Sequence, residues 1–307
     1  LGDNGLPSVF VIYGPTAVGK TSVAIELAER IDGEIVSCDS RQVFKHLDIG
    51  TAKPTAVERR RVPFHLIDVI LPVRFMSAFE FRELAEAAIR NIESREKTPI
   101  MTVGTGFYLK AMTHGIFEAP TDSGIRNRLQ LDMETEGPSE MHKRLSAVDP
   151  ETAACLSEND AVRIVRALEL YELTGLTRSQ MTAELQLASS RFDFRFAGLE
   201  LERSLLYEGI NDRCIRMLDN GLIDEASGLR NSGVLGDEIA SKIVGYAEAY
   251  EHLDGKLAYD AMLEKFQQST RNYAKRQLTW FRKHPGGKRF QVRDNCLIDK
   301  ILSYFGR

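Results

Sequence analysis

Gly14-Pro15-Thr16-Ala17-Val18-Gly19-Lys20-Thr21 has the spacing G-x-x-x-x-G-K-[ST], and no other stretch of this sequence is so plainly equipped for chemistry. Glycines at both ends let the backbone curl until successive N–H groups point at one phosphate, and the positive end of a following helix reinforces that attraction. Lys20 adds a charge on a flexible stem, and the hydroxyl of Thr21 can hold magnesium. The plainer reading is a glycine-rich turn beside a surface lysine. Context argues against it, because the apolar run Val9 to Tyr13 precedes the motif and an amphipathic segment with Val23, Leu27 and Ile31 on one face follows it. All eight residues are therefore assigned to a diphosphate site, with Mg2+ as its ion and Thr21 as the metal ligand. The motif alone does not choose among phosphate esters.

Asp39 stands at the carboxyl end of a second apolar run, Glu34 to Cys38, where an open parallel sheet presents its ligands. A carboxylate there can serve as a general base, bind magnesium or cap a helix, and residue type leaves all three open. Thr105, between Gly104 and Gly106, follows the run Pro99 to Val103 and reaches the same edge; it can equally be a simple turn residue.

The elements that position these groups are legible as a pattern. Short apolar runs, including His65 to Ile70, alternate with helical stretches such as Ala78 to Glu93 over the first 120 or so residues, which predicts a parallel sheet covered by helices. From Ser123 to about Ser190 the texture is helix after helix (Ile125 to Glu136, Ser139 to Ala147, Asp160 to Leu173). A strand-like return, Phe192 to Leu201, a helix from Leu205, a long helix from Leu257 to about Lys283, and one more strand and helix complete the chain. The expected fold is α/β, a P-loop NTPase-like parallel sheet flanked by helices with a helical insertion domain. Its parts are a catalytic core at 1–122 and 192–307, the latter ending in a basic helix, and an insertion at 123–191.

Composition narrows the class. Of 307 residues, 43% are apolar and 27% charged, ordinary values for a globular protein. No run approaches the length of a membrane span, and Val9 to Tyr13 lacks the basic leader of a signal peptide, so a cytoplasmic protein is expected. Cys38, Cys155, Cys214 and Cys296 have neither zinc nor disulfide spacing, and the six histidines stand singly. The net charge of -4 means that any nucleic-acid contact must be local. Such a patch runs from Arg271 to Arg289, with Tyr273, Trp280 and Phe281 interleaved, although Trp280 and Phe281 are better read as core.

Several segments together resemble the tRNA dimethylallyltransferase family from Val9 to about Arg282. Beyond the phosphate loop they are Asp39-Ser40-Arg41-Gln42-Val43-Phe44, 48–54 (DIGTAKP), 104–109 (GTGFYL), 163–169 (RIVRALE) and 274–282 (AKRQLTWFR). The resemblance implies transfer of a dimethylallyl group from dimethylallyl diphosphate to the N6 amino group of the adenosine 3'-adjacent to the anticodon in tRNA. It implies Asp39 as the base, Thr105 as a positioner of the adenine and Arg213 on the diphosphate. Contacts to the anticodon stem-loop are implied at Ser40, Arg41 and Gln42, at Arg163 and Arg166, at Lys242, Gly245 and Tyr246, and at Lys275, Arg276, Gln277 and Arg282. A monomer is expected. The chain departs from the family pattern at Val103, where glycine is usual, at Val162, where glutamine is usual, and at Gly209, where arginine is usual. Competing readings are a P-loop nucleotide kinase or NTPase using His65 to Asp68 to order magnesium, a non-catalytic RNA-binding module, and an adenylate isopentenyltransferase. The helical insertion and the basic C-terminal segment disfavour the last.

Overall fold

The computed structural model describes residues 6–186, 191–283 and 286–307. The first part of the chain alternates strand and helix: β1 (Ser8–Tyr13), α1 (Lys20–Ile31), β2 (Gly33–Cys38), α2 (Ala56–Arg61), β3 (Phe64–His65), α3 (Ala78–Ser94), β4 (Thr98–Val103) and α4 (Gly106–His114). Five helices follow: α5 (Ser123–Glu136), α6 (Pro138–Val148), α7 (Pro150–Ala154), α8 (Ala161–Thr174) and α9 (Arg178–Gln186). The chain then returns through β5 (Asp193–Glu200), α10 (Arg203–Asp219), α11 (Leu222–Asn231), α12 (Asp237–Ala240), α13 (Tyr246–Leu253), α14 (Tyr259–Lys283), β6 (Lys288–Gln291) and α15 (Leu297–Phe305).

Six parallel strands form one sheet in the order β3-β2-β4-β1-β5-β6. β1 is central and buried from Val9 to Tyr13, as a parallel strand covered on both faces should be. Phe10 stacks on Phe305 of α15 with ring centroids 4.3 Å apart. Against β2 and β4 lies α3, whose residues Phe81, Ala85, Ile89 and Ile92 form a fully buried stripe. Its start is fixed by a capping box, with Ser77 accepting from Glu80 N and the Glu80 carboxylate accepting from Ser77 N.

The chain divides into two compact units, 1–113 with 191–307, and 114–190. The helical unit therefore starts some nine residues before the expected Ser123, because the backbone of Ala119 and Pro120 is fastened to α8 through Arg166. Residues 187–190 of the expected insertion lie outside those described. That unit has its own core around Leu129, Met141, Leu145, Ile164 and Leu168. Among the described residues, no helix is long and apolar enough to cross a membrane.

The third strand is much shorter than the apolar pattern of His65 to Ile70 predicts. Leu66 and Asp68 adopt positive φ angles of 62° and 59°, which break the extended backbone, and pairing resumes only as a single bridge between Phe44 and Ile70. Asp68 is held in this turn by Lys53 at 2.5 Å and Arg59 at 2.8 Å.

Candidate active site

At the carboxyl end of β1 the chain wraps into the phosphate loop and enters α1. Gly19 caps that helix with φ +94°, a left-handed conformation that side chains resist. Val18 is buried beneath the loop, while Thr16, Ala17, Gly19, Lys20 and Thr21 line a cleft of about 580 Å3. Gly14, Pro15 and Val18, assigned with the others to the diphosphate site, are buried and do not themselves line the cleft. Lys20 Nζ donates to the carbonyl oxygens of Gly14 and Pro15 at 2.9 and 2.8 Å. Burial pulls its pKa down to about 7 against the attraction of Asp39, and the positive charge of Arg213 pushes the same way as burial. A bound phosphate would reverse that balance.

The ends of β2 and β4 are laced together, since the N–H groups of Gly104 and Thr105 both donate to Cys38 O at 3.0 Å. This brings Asp39 and Thr105 side by side. Thr105 Oγ1 accepts from Ser40 N at 2.9 Å and donates to Ser40 Oγ at 3.1 Å. Asp39 Oδ1 accepts from Arg41 N at 2.8 Å, an Asx-type turn that fixes the carboxylate. Gly104 lies so close to Asp39 Oδ2 that a methyl group there would overlap it, so this close approach requires glycine.

Charge in the cleft is lopsided. Lys20, Arg41, Arg213, Arg216, Lys242 and Arg276 line it, and Asp39 is the one carboxylate among the described lining residues. Cys214, Met217, Ile243, Val244 and Phe266 supply an apolar section of wall. Cations grouped around a phosphate loop suit a polyanion, and an apolar wall suits a hydrocarbon tail.

Two braces hold this arrangement. From α14, Gln277 Oε1 accepts from Thr16 N at 2.8 Å and Gln277 Nε2 donates to Gly104 O at 2.7 Å, while Tyr273 Oη donates to the same carbonyl at 3.2 Å. One side chain thus ties the phosphate loop to the turn beside Asp39. From α11, the Glu225 carboxylate accepts from Asp48 N at 3.1 Å, Ile49 N at 3.0 Å, Gly50 N at 3.3 Å and Tyr246 Oη at 2.5 Å. The loop so held places Gly50, Thr51 and Ala52 on the cleft, and Gln42 Nε2 donates to Ala52 O at 3.2 Å. Glu225→Ala leaves these donors without their acceptor and is expected to destabilise the protein by about 2 to 3 kcal/mol. The check is a lower urea midpoint at unchanged slope. An unchanged midpoint would show the loop to be held by other contacts.

A family model described as IPP transferase matches residues 42–284. The chain is 45% identical over 274 residues to the tRNA dimethylallyltransferase of Geobacter metallireducens, covering 89% of each chain. It is 44% identical over 299 residues to that of Geobacter sulfurreducens, covering 96% of each. The chain belongs to the IPP transferase family. Among solved structures it is similar to the tRNA isopentenylpyrophosphate transferase of Bacillus halodurans, with TM-score 0.70 and 36% identity over 97% of this chain and 94% of that one. It is also similar to a eukaryotic dimethylallyltransferase acting on tRNA, with TM-score 0.80 and 28% identity over 98% of this chain and 77% of that one.

Against the contacts expected for an IPP transferase, some side chains are already committed elsewhere. Gln277 is 7% exposed with both ends of its amide bonded internally, so it is a brace and not an RNA contact. Tyr246 is fully buried against Glu225. Gly245, also buried, has φ +96° and donates its N–H to Glu248, so these two residues build a turn. Gln42 is partly consumed too, since Oε1 accepts from Ser37 Oγ at 2.8 Å. In the helical unit, Arg166 is tied to the buried Glu169 at 2.7 Å and to the carbonyls of Ala119 and Pro120, while Arg163 is exposed and pairs with Asp160 at 2.9 Å. Lys242, Lys275, Arg276 and Arg282 are exposed; of the two aromatics read as core, Phe281 is buried and Trp280 only half-buried. Arg216 and Glu225 were not singled out from sequence as site residues, and Tyr273 was read only as an aromatic of the basic segment. Position 216 does repeat the helical spacing of Arg213, which is a signal that could have found it.

The kinase reading fails on Asp68, whose carboxylate is shared between Lys53 and Arg59. No group of three or more His, Cys, Asp or Glu side chains among the described residues could hold a metal by itself. Thr21 lines the cleft, where its hydroxyl could be one ligand of a magnesium ion whose others would have to come from substrate phosphates and water.

Proposed function

We propose that this chain transfers the dimethylallyl group of dimethylallyl diphosphate to the N6 amino group of the adenosine 3'-adjacent to the anticodon in tRNA, releasing diphosphate. The observation that carries the reading is one carboxylate, Asp39, set among six cations beside a phosphate loop. The diphosphate lies on the loop N–H groups, Lys20 and Arg213, which stabilise the charge that develops as the carbon–oxygen bond breaks. Magnesium held by Thr21 would add Lewis-acid stabilisation of that same charge. The adenine amine is a weak nucleophile because its lone pair is delocalised into the ring. Asp39 accepts its proton as the new bond forms, and Thr105 fixes Ser40 and with it the start of the segment that holds Asp39. An adenine stacked in the anticodon loop cannot reach the cleft, so it is flipped out of the stack. A monomer acting in the cytoplasm is part of the same proposal.

Incubating tRNA with the protein, magnesium and dimethylallyl diphosphate, without ATP, is expected to yield dimethylallyl adenosine by mass spectrometry of the nucleosides. A requirement for ATP hydrolysis would overturn the assignment, and so would modification of free adenylate in preference to tRNA.

The exposed basic face of α14 makes a separate prediction. Replacing Lys275 and Arg276 with Ala is expected to weaken tRNA binding and to flatten its log–log salt dependence by roughly 1.5 units, because two phosphate contacts release their counterions no longer. Lys275→Ala alone should leave the binding of inorganic diphosphate unaffected, since of the two residues only Arg276 lines the cleft. An unaltered salt slope would remove this face from the RNA interface.

A further inference from the structure

Gly209, Arg213, Arg216 and Met217 recur at the spacing of one helical face, and all four line the cleft. This stripe of α10 runs beside Lys20. At Gly209 nothing lies within 4 Å of the position a Cβ would take, so packing does not demand a glycine there, and one turn before Arg213 the stripe presents open space instead of a side chain. One turn after it stands Arg216.

Neither Arg213 nor Arg216 forms an ion pair with any described residue. Elsewhere in the protein guanidinium groups such as those of Arg59, Arg61, Arg74 and Arg230 are each paired with a carboxylate at 2.8 Å or closer. Burial holds the Arg213 guanidinium below its ordinary range, and the positive charge of Arg216 adds to that effect. Two like charges three residues apart on one helical face repel, and an anion held between them would relieve both.

We propose that Arg216 is the second guanidinium on the diphosphate of the prenyl donor, completing with Arg213 and Lys20 a clamp to which Gly209 contributes nothing. The inference rests on the reading of the loop as a prenyl-diphosphate site. It assigns to Arg216 a ligand contact, distinct from a place on the RNA interface.

Three proteins test it, the wild type, Arg216→Gln and the double variant Gly209→Arg/Arg216→Gln, each titrated with inorganic diphosphate plus magnesium and, separately, with tRNA. Arg216→Gln is expected to weaken diphosphate binding about tenfold or more, the loss of one charge-assisted bond, and to raise the KM for dimethylallyl diphosphate similarly, with tRNA affinity within twofold of wild type. The double variant is expected to recover most of the loss, since an arginine at 209 enters the open space on the same stripe. Unchanged diphosphate affinity in Arg216→Gln overturns the proposal, as does weakened tRNA binding with diphosphate affinity intact. Melting temperatures of the three proteins show whether any loss is one of folding, and failure of the double variant to recover diphosphate affinity while folded also counts against the clamp. Lys20→Ala separates the underlying reading: if wild-type protein does not bind diphosphate in a Lys20-dependent way, the loop assignment fails first.

Discussion

Asp39→Asn lowers turnover by about 10²-fold or more, while donor and tRNA still bind. The substitution keeps the size of the side chain and the oxygen that accepts from Arg41 N, so the turn after β2 stays formed and what is lost is the basic carboxylate. The two other roles open to an aspartate at a strand end give different results. A magnesium ligand would show a defect that shrinks as magnesium is raised, together with weaker donor binding. A structural cap would lower the melting temperature and leave the turnover of folded molecules near normal. Turnover, donor affinity against magnesium, and melting temperature on one mutant separate the three. Near-normal turnover excludes the base.

Lys20→Ala abolishes transfer at ordinary donor concentrations, a drop in kcat/KM of about 10³-fold, since it removes the cation that meets charge developing on the leaving group. Lys20 also makes donor affinity depend on pH. Burial lowers its pKa to about 7 in the ligand-free protein, so near neutrality its proton is held far less firmly than that of an ordinary lysine. Diphosphate favours the ammonium and therefore raises that pKa on binding. The sign follows: the ammonium's contribution is complete below about pH 7, and above it each unit of pH costs up to about tenfold in affinity until the raised pKa of the complex is reached. Isothermal titration with inorganic diphosphate should show proton uptake above pH 7. In Lys20→Arg, whose side chain stays charged, the excess dependence over the titration of diphosphate itself should vanish. Identical pH profiles in wild type and Lys20→Arg would refute the assignment.

Much of this site was readable because its residues sit next to backbone features that sequence reports well. A glycine-lysine-threonine run between a strand and a helix fixes where Lys20 and Thr21 go, and Asp39 follows from the end of an apolar run. Direction of side chains was less legible. Gln277, lying in a basic segment beside Lys275 and Arg276, read as an RNA contact. Yet the buried positions of α14 are Met262, Phe266, Thr270, Ala274, Gln277 and Phe281, steps of four and three that put Gln277 on the inner stripe. Helical periodicity could have shown this, whereas the resemblance carried Gln277 over together with its basic neighbours. Tyr246 was misplaced for a different reason, because its partner Glu225 is 21 residues away and no local pattern announces a carboxylate that caps a distant loop. The short third strand failed likewise, because alternation says nothing of the positive φ angles at Leu66 and Asp68.

The central place of β1 has a consequence for how the chain is made. Its first residue, Ser8, pairs with Asp193, a separation of 185 positions, and a helical unit with its own core lies between them. At roughly 5 to 20 residues per second, some ten to forty seconds of synthesis separate the two halves of this ladder. Until β4 is made β1 has neither neighbour, and from then until β5 follows it has β4 on one side and an unpaired edge of backbone N–H and C=O groups on the other. The nascent protein is therefore most exposed to mispairing while its most buried strand waits for a neighbour, and chaperone demand should fall sharply once β5 clears the ribosome.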